Sequence, residues 1–281
     1  MKLSKLSLLF SAALLLIVGI NGSISILVLN AFSRAQAEQD HRLEALRRVD
    51  DLRREMDTLS GLVRSYVVTC EQRYLTYYYA ILAIREGDQP PVADAEPATF
   101  WSRVIAGMTP YTPHTDRPRE SVWARMRALG LEEAELVALE RVRREAEAIK
   151  ALEQVAFAAA QGHYDPVARS FVAEGKPDQA LAIRLAHGPE YSVQRARSAI
   201  SIAALKARVD ERTGRQVTEA RHRLRNWIVA AIIGMTATVL LALRGVRSVR
   251  QKVLQPIEDM CAATDQLARG QYDVRLTGED E

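Results

Sequence analysis

The sequence lacks most of what an enzyme would need. Its five histidines, at positions 41, 114, 163, 187 and 222, are scattered and no pair has the spacing of a zinc helix. No glycine-rich phosphate loop and no nucleophile elbow is present, so no metal, cofactor or covalent chemistry is expected. His187 and Glu190 are three apart, but Gly188-Pro189 between them spoils a helical ligand pair. Net charge is also lacking: 38 basic against 35 acidic residues leave +3, which excludes a nucleic-acid binder held by bulk charge. Aromatic residues make up 6% of the chain, and strand signals are nearly absent.

Charge is missing altogether from two stretches. Leu6–Ser33 and Asn226–Leu243 contain no Asp, Glu, Lys or Arg. At about 1.5 Å per residue they reach roughly 42 and 27 Å, against about 30 Å of hydrocarbon in a bilayer. Both read as transmembrane helices, with the polar residues 34–225 between them. The basic start (Lys2, Lys5) and Ala35-Gln36-Ala37 resemble a signal peptide with its cleavage site. The apolar stretch is about twice the length of a signal core, so it reads as a retained span.

Basic residues flank the second span on both sides. The positive-inside rule discounts loops longer than roughly 60 residues, so Arg221, Arg223 and Arg225 count for little. Lys2, Lys5 and the cluster Arg244, Arg247, Arg250 and Lys252 place both termini in the cytoplasm, and Trp227 falls at the outer interface. This predicts a multi-pass protein of the inner membrane: a cytoplasmic N-terminus at 1–5, spans at 6–33 and 226–243, an extracytoplasmic domain at 34–225 and a cytoplasmic stub at 244–281. Cys70 then lies outside and Cys261 inside, unable to pair. Cys70 is expected to be a small buried apolar residue on a helix.

The exterior region predicts an all-α fold. Residues 34–69 hold no proline and one glycine, and continue the first span as one helix. An interruption is expected at Thr69-Cys70-Glu71, with helix resuming through Tyr74–Arg85. Six prolines between Pro90 and Pro118 predict a structured loop or short helices that pack Trp101 and Tyr111 on the bundle. A long helix is expected from Glu132 to Gln161, with a stripe of Leu136, Leu139, Val142, Ala146, Ile149, Leu152, Ala156 and Ala159. A shorter helix is expected from Pro166 to Ala186, stopped by His187-Gly188-Pro189. From Glu190 no strong stop precedes Leu243. The sum is a membrane-anchored extracytoplasmic helical bundle.

One cluster suggests ligand capture. Arg64, Tyr66, Arg73, Tyr74, Tyr77, Tyr78 and Arg85 fall on two consecutive helices, with His187, Tyr191 and Arg195 as an opposing wall. Arginine forks grip carboxylate or phosphate, and tyrosines offer stacking faces with a polar tip. A small anionic or aromatic ligand would suit them. The alternative is that the tyrosines fill the core and the arginines cap helix ends.

After the second span, Val253, Ile257, Met260, Thr264 and Leu267 recur at gaps of four and three, a coiled-coil seam that one helix cannot bury alone. Pro256-Ile257, Leu267-Ala268-Arg269-Gly270, Tyr272-Asp273-Val274 and Glu279-Asp280-Glu281 resemble the first helix and connector of a HAMP domain. The resemblance implies a parallel coiled-coil relay in a homodimer, with Val253, Pro256, Ile257, Met260, Thr264, Leu267 and Gly270 at its seam and ends. The second HAMP helix and any output module are missing, so the chain is expected to be a fragment of a longer receptor or a truncated one. Val63-Arg64-Ser65-Tyr66-Val67-Val68-Thr69, with Arg73-Tyr74-Leu75 and Tyr77-Tyr78, is similar to the helical-bundle sensors of bacterial two-span chemoreceptors, sensor histidine kinases and diguanylate cyclases. Those relatives often carry Gly-Asp or Gly-Asn where Cys70-Glu71 stands here. The function this implies is a transmembrane signal receptor, with membrane lipid and a cytoplasmic output domain or kinase as partners. Two alternatives stay open: a membrane-anchored binding or adaptor protein without signalling output, and direct sensing through Cys70.

Overall fold

The computed structural model describes residues 3–92, 97–113, 118–255, 257 and 258. The fold is all-α apart from one two-residue hairpin. Seven helices follow in chain order: α1 Leu3–Thr69, α2 Gln72–Glu86, α3 Pro97–Ile105, α4 Val122–Arg127, α5 Glu133–Gln161, α6 Gln179–His187 and α7 Pro189–Val249. A π-helical turn, Arg250–Leu254, follows α7. The hairpin pairs β1 (Tyr164–Asp165) with β2 (Ser170–Phe171) in antiparallel register. The chain divides into two compact units, residues 38–217 and residues 1–37 with 218–281.

In the unit of residues 38–217 the helix ends are set by local chemistry. α1 stops where Cys70 takes a left-handed conformation, φ 58°, and its N–H donates to the Tyr66 carbonyl at 2.7 Å. Cys70 is thus an exposed turn residue and not the buried helical one expected from its composition class. The last carbonyls of α1 are not left to solvent alone: the Gln179 side chain donates to Val67 and Val68 oxygens at 3.2 and 2.8 Å, tying α6 to that end. α5 opens with the Glu135 carboxylate accepting the Glu132 N–H at 2.9 Å, and closes at Gly162. Gly162 has φ +81°, and a Cβ there would meet the Gly175 carbonyl oxygen at 2.6 Å, so both space and backbone demand glycine.

The helix expected from Pro166 begins only at Gln179. Asp165 accepts the N–H groups of Val167 and Ala168 at 2.8 and 3.1 Å, closing a turn that competes with a helical start. The Gly175-Lys176-Pro177 stretch then delays the helix until Asp178 caps it by accepting the Leu181 N–H at 2.8 Å.

Two apolar clusters hold this unit together. One joins Leu62, Val63 and Val67 of α1 to Ile81 of α2, Phe157 of α5 and Ala182 and Ala186 of α6. The other joins Val49 and Leu52 of α1 to Trp123 and Met126 of α4, Val142 and Ile149 of α5, and Leu205 and Val209 of α7. Each fully buried aliphatic or aromatic side chain contributes roughly 1.5–3 kcal/mol. Beside the second cluster lies a buried ion pair. Arg212 Nε donates to both Glu135 oxygens, at 2.8 and 2.9 Å, and the two side chains are 7% and 3% exposed.

The other unit contains the N-terminal part of α1 and the C-terminal part of α7. Both helices are long and apolar enough to cross a membrane. Their apolar side chains face outward: Leu15 is 72% exposed and Met235 68%. One polar contact links them. Asn21 Nδ2 donates to Thr238 Oγ1 at 2.8 Å and to the Gly234 carbonyl at 3.4 Å. A Cβ at position 234 would meet Asn21 Oδ1 at 2.6 Å, so glycine there permits the approach.

Removing one partner of a buried ion pair strands the other. Arg212→Met is therefore expected to destabilise the protein by about 3–5 kcal/mol, read as a lowered Tm by circular dichroism. Replacing both residues, as Glu135→Gln with Arg212→Met, removes the stranded charge while keeping a side-chain oxygen to accept the Glu132 N–H, and is expected to recover part of that loss. An unchanged Tm in the single variant would contradict the assignment.

Candidate functional site

Of the expected ligand residues, the structure draws some into the core and leaves others apart. Tyr66 is buried edge-on against Phe157, with centroids 5.3 Å apart. Tyr78 and Tyr191 are also buried, and Arg85 is buried against Glu55. Arg73 is exposed, stacked over Tyr74 at 4.7 Å and paired with Glu71 at 2.6 Å. Tyr77 lies half-buried against Trp101. His187 is exposed at the end of α6, whereas Tyr191 and Arg195 belong to α7, so the three share no helix face and form no common wall.

What the core residues meet is a carboxylate that the sequence reading passed over. Glu153, on α5, is 2% exposed. Its two oxygens accept one phenol each: Tyr78 O–H to Oε2 and Tyr191 O–H to Oε1, both at 2.7 Å. Three helices, α2, α5 and α7, thus converge on one carboxyl group. Arg64 of α1 closes the cluster from above, its guanidinium 5.7 Å from the Tyr191 ring centroid. A signal for Glu153 exists in the sequence. The buried face of α5 runs Ile149, Glu153, Ala156, Ala160, which puts the glutamate on the apolar stripe where Leu152 was expected.

Burial sets the electrostatics. Desolvation pushes Glu153 above the ordinary carboxylate range; the two phenol hydrogen bonds and the charges of Arg85 and Arg195 pull the other way and are outweighed. Burial, together with the neighbouring Glu153, raises both Tyr78 and Tyr191, so the phenols remain protonated donors.

Above this cluster opens a groove of about 330 Å³ between α1 and α7, floored by Met56, Ile149 and Ile202. Arg195 lines the groove, pairs with Asp57 at 3.1 Å and also acts electrostatically on Glu153. Ser198 contributes a buried hydroxyl with no hydrogen-bond partner among the described residues. A second, larger cavity lies between α1, α2, α3 and α4. Among the described residues no group of three His, Cys, Asp or Glu side chains is placed to hold a metal ion.

The seam residues of the C-terminal stub fall largely beyond what can be described. Pro256, Met260, Thr264, Leu267 and Gly270, with Cys261, lie outside the described residues, as does His114. Val253 belongs to the π-helical turn, and Ile257 is 54% exposed. The chain matches no family model, no curated protein and no solved structure.

A carboxyl with a raised pKa favours the folded state when protonated. Its contribution is fully present below the unfolded pKa of about 4.3 and is lost as pH rises through the folded value. Glu153→Gln mimics the protonated form, accepting one phenol and donating to the other. Thermal melts between pH 4.5 and 7.5 are expected to show the Tm of the wild type falling more with rising pH than that of the variant. Parallel profiles would contradict the buried-acid assignment.

Proposed function

We propose that this chain is a transmembrane signal receptor of the inner membrane, in which the helical unit faces the extracytoplasmic side and both termini lie in the cytoplasm. Leu6–Ser33 and Asn226–Leu243 cross the bilayer. Residues 244–281 form part of a HAMP relay, through which two chains pair and act on a cytoplasmic output module. The observation that carries this reading is α7. It is one uninterrupted helix, Pro189–Val249, with Tyr191, Leu205 and Val209 buried among other helices at one end and an unburied apolar segment at the other.

The physics of the bilayer favours such a device. A flexible link inside hydrocarbon would leave backbone groups unsatisfied, so a message must pass as displacement of a helix. A stimulus acts only by binding two arrangements of the outer helices unequally, and so shifts their populations. Tyr191 and Arg195 place α7 against Glu153 and the groove, which makes this helix the element a stimulus would move. In hydrocarbon the Asn21–Thr238 hydrogen bond favours one register of the two spans, beside the bond that the same amide makes to the Ile17 carbonyl of its own helix at 2.9 Å.

Two variants test the relay in a receptor carrying its output module. Ile257→Asp is expected to abolish coupling while the protein remains inserted at normal abundance, measured as stimulus-dependent output beside membrane fractionation. Normal output would contradict a relay that runs through Ile257. Asn21→Leu is expected to weaken span pairing by about 0.6–1.7 kcal/mol and to shift basal output. Unchanged disulfide trapping between cysteines placed on the two spans would show that the bond carries no register.

A further inference from the structure

The second cavity, of about 460 Å³, is large enough for a small organic molecule and lies wholly within the unit of residues 38–217. Its charged lining is unevenly matched. Asp51 is engaged by Arg54 at 2.5 Å, and Glu55 by the buried Arg85. Arg48 and Arg125 remain. Among the described residues Arg48 pairs with Glu44 alone, one turn away on α1, at 3.3 Å. Arg125 projects from α4, and its Nε is buried with no hydrogen-bond partner among the described residues. Burial and the like charge of Arg48 hold the Arg125 pKa below the usual arginine range, against the opposite pull of Glu55, Glu120 and Asp51. Two guanidinium groups that repel each other, one with a stranded donor, create a need for an anion.

The remainder of the lining says what the anion is attached to. Leu52, Ile84, Val122 and Met126 form an apolar wall and Ser102 offers a hydroxyl, while the Thr58 hydroxyl already donates to the Arg54 carbonyl at 2.8 Å. An inorganic ion would fill a small part of this space and leave the wall facing water. Among the described lining residues a cation has no free carboxylate to meet, since Asp51 and Glu55 each already face arginine.

We propose that the cavity between α1, α2, α3 and α4 binds a small amphipathic oxyanion, a carboxylate or phosphate monoester on a short aliphatic body. Arg125 and Arg48 hold the head group and the apolar wall takes the body. Binding stands without the receptor reading; only an effect on output rests on that reading.

Isothermal titration of the full chain in nanodiscs tests this with four probes: hexanoate, hexyl phosphate, hexanamide and inorganic phosphate. Saturable binding is expected for hexanoate or hexyl phosphate, and which one binds tighter identifies the head group. The neutral hexanamide and the bodiless phosphate are each expected to bind about ten-fold more weakly or worse. Arg125→Gln and Arg48→Gln are expected to weaken the preferred probe by about ten-fold, while Arg141→Gln, on the exposed face of α5, leaves it unchanged. Circular dichroism separates loss of binding from loss of fold, and protection of Arg125 from phenylglyoxal by the preferred probe gives a readout in the unmutated protein. Absence of saturable binding by either alkyl anion, or equal binding of hexanamide or of inorganic phosphate, would overturn the proposal.

Discussion

Two helical segments of this protein carry their leucines and isoleucines on the outside. Leu16, Ile232 and Ile233 are 60% exposed or more, and the most apolar windows of both helices are unburied. In water each such side chain forgoes roughly 1.5–3 kcal/mol of burial. A patch of this extent on a soluble chain would drive association. The same surface in a bilayer is at rest, provided that the backbone satisfies its own hydrogen bonds, as α1 and α7 do throughout these stretches. The proposed function follows from treating lipid as the missing neighbour of those side chains.

The unit of residues 38–217 meets a different constraint. Alanines make up part of its apolar core, with Ala156, Ala159, Ala160, Ala182 and Ala186 where α5 meets α6. Small residues let helices approach but supply little burial each. The unit compensates with polar contacts sunk between helices: Glu153 with two tyrosines, Arg212 with Glu135, and Arg85 with Glu55. Such groups are costly to desolvate and strongly directional, so they fix which helices meet and at what register more than they add stability.

Much of the helical layout was legible in the sequence, because breaks are local chemistry. The turn at Cys70, the stop at Gly162 and the break at Gly188-Pro189 each depend on a few adjacent residues. The hairpin at Tyr164–Phe171 was not legible. Leucine, alanine and arginine beyond Pro166 favour helix, and the capture of two N–H groups by Asp165 wins only locally. The candidate site was harder still. Arginines and tyrosines of α1 and α2 announce recognition chemistry, but Tyr78 turns inward to serve Glu153, a partner 75 residues away in the chain. Nothing local in α1 reveals that α4 brings Arg125 to the cavity that Arg48 and Arg54 also line. Long-range pairing of charged residues leaves no periodic trace.

The side of the membrane on which each end of α7 lies tests the account most directly. Single cysteines at Lys150 and at Glu258, in a protein freed of Cys70 and Cys261, can be challenged in intact spheroplasts with a membrane-impermeant maleimide. The account predicts that position 150 reacts at once and that position 258 reacts only after the membrane is permeabilised. Reaction of both positions from the same side would contradict it.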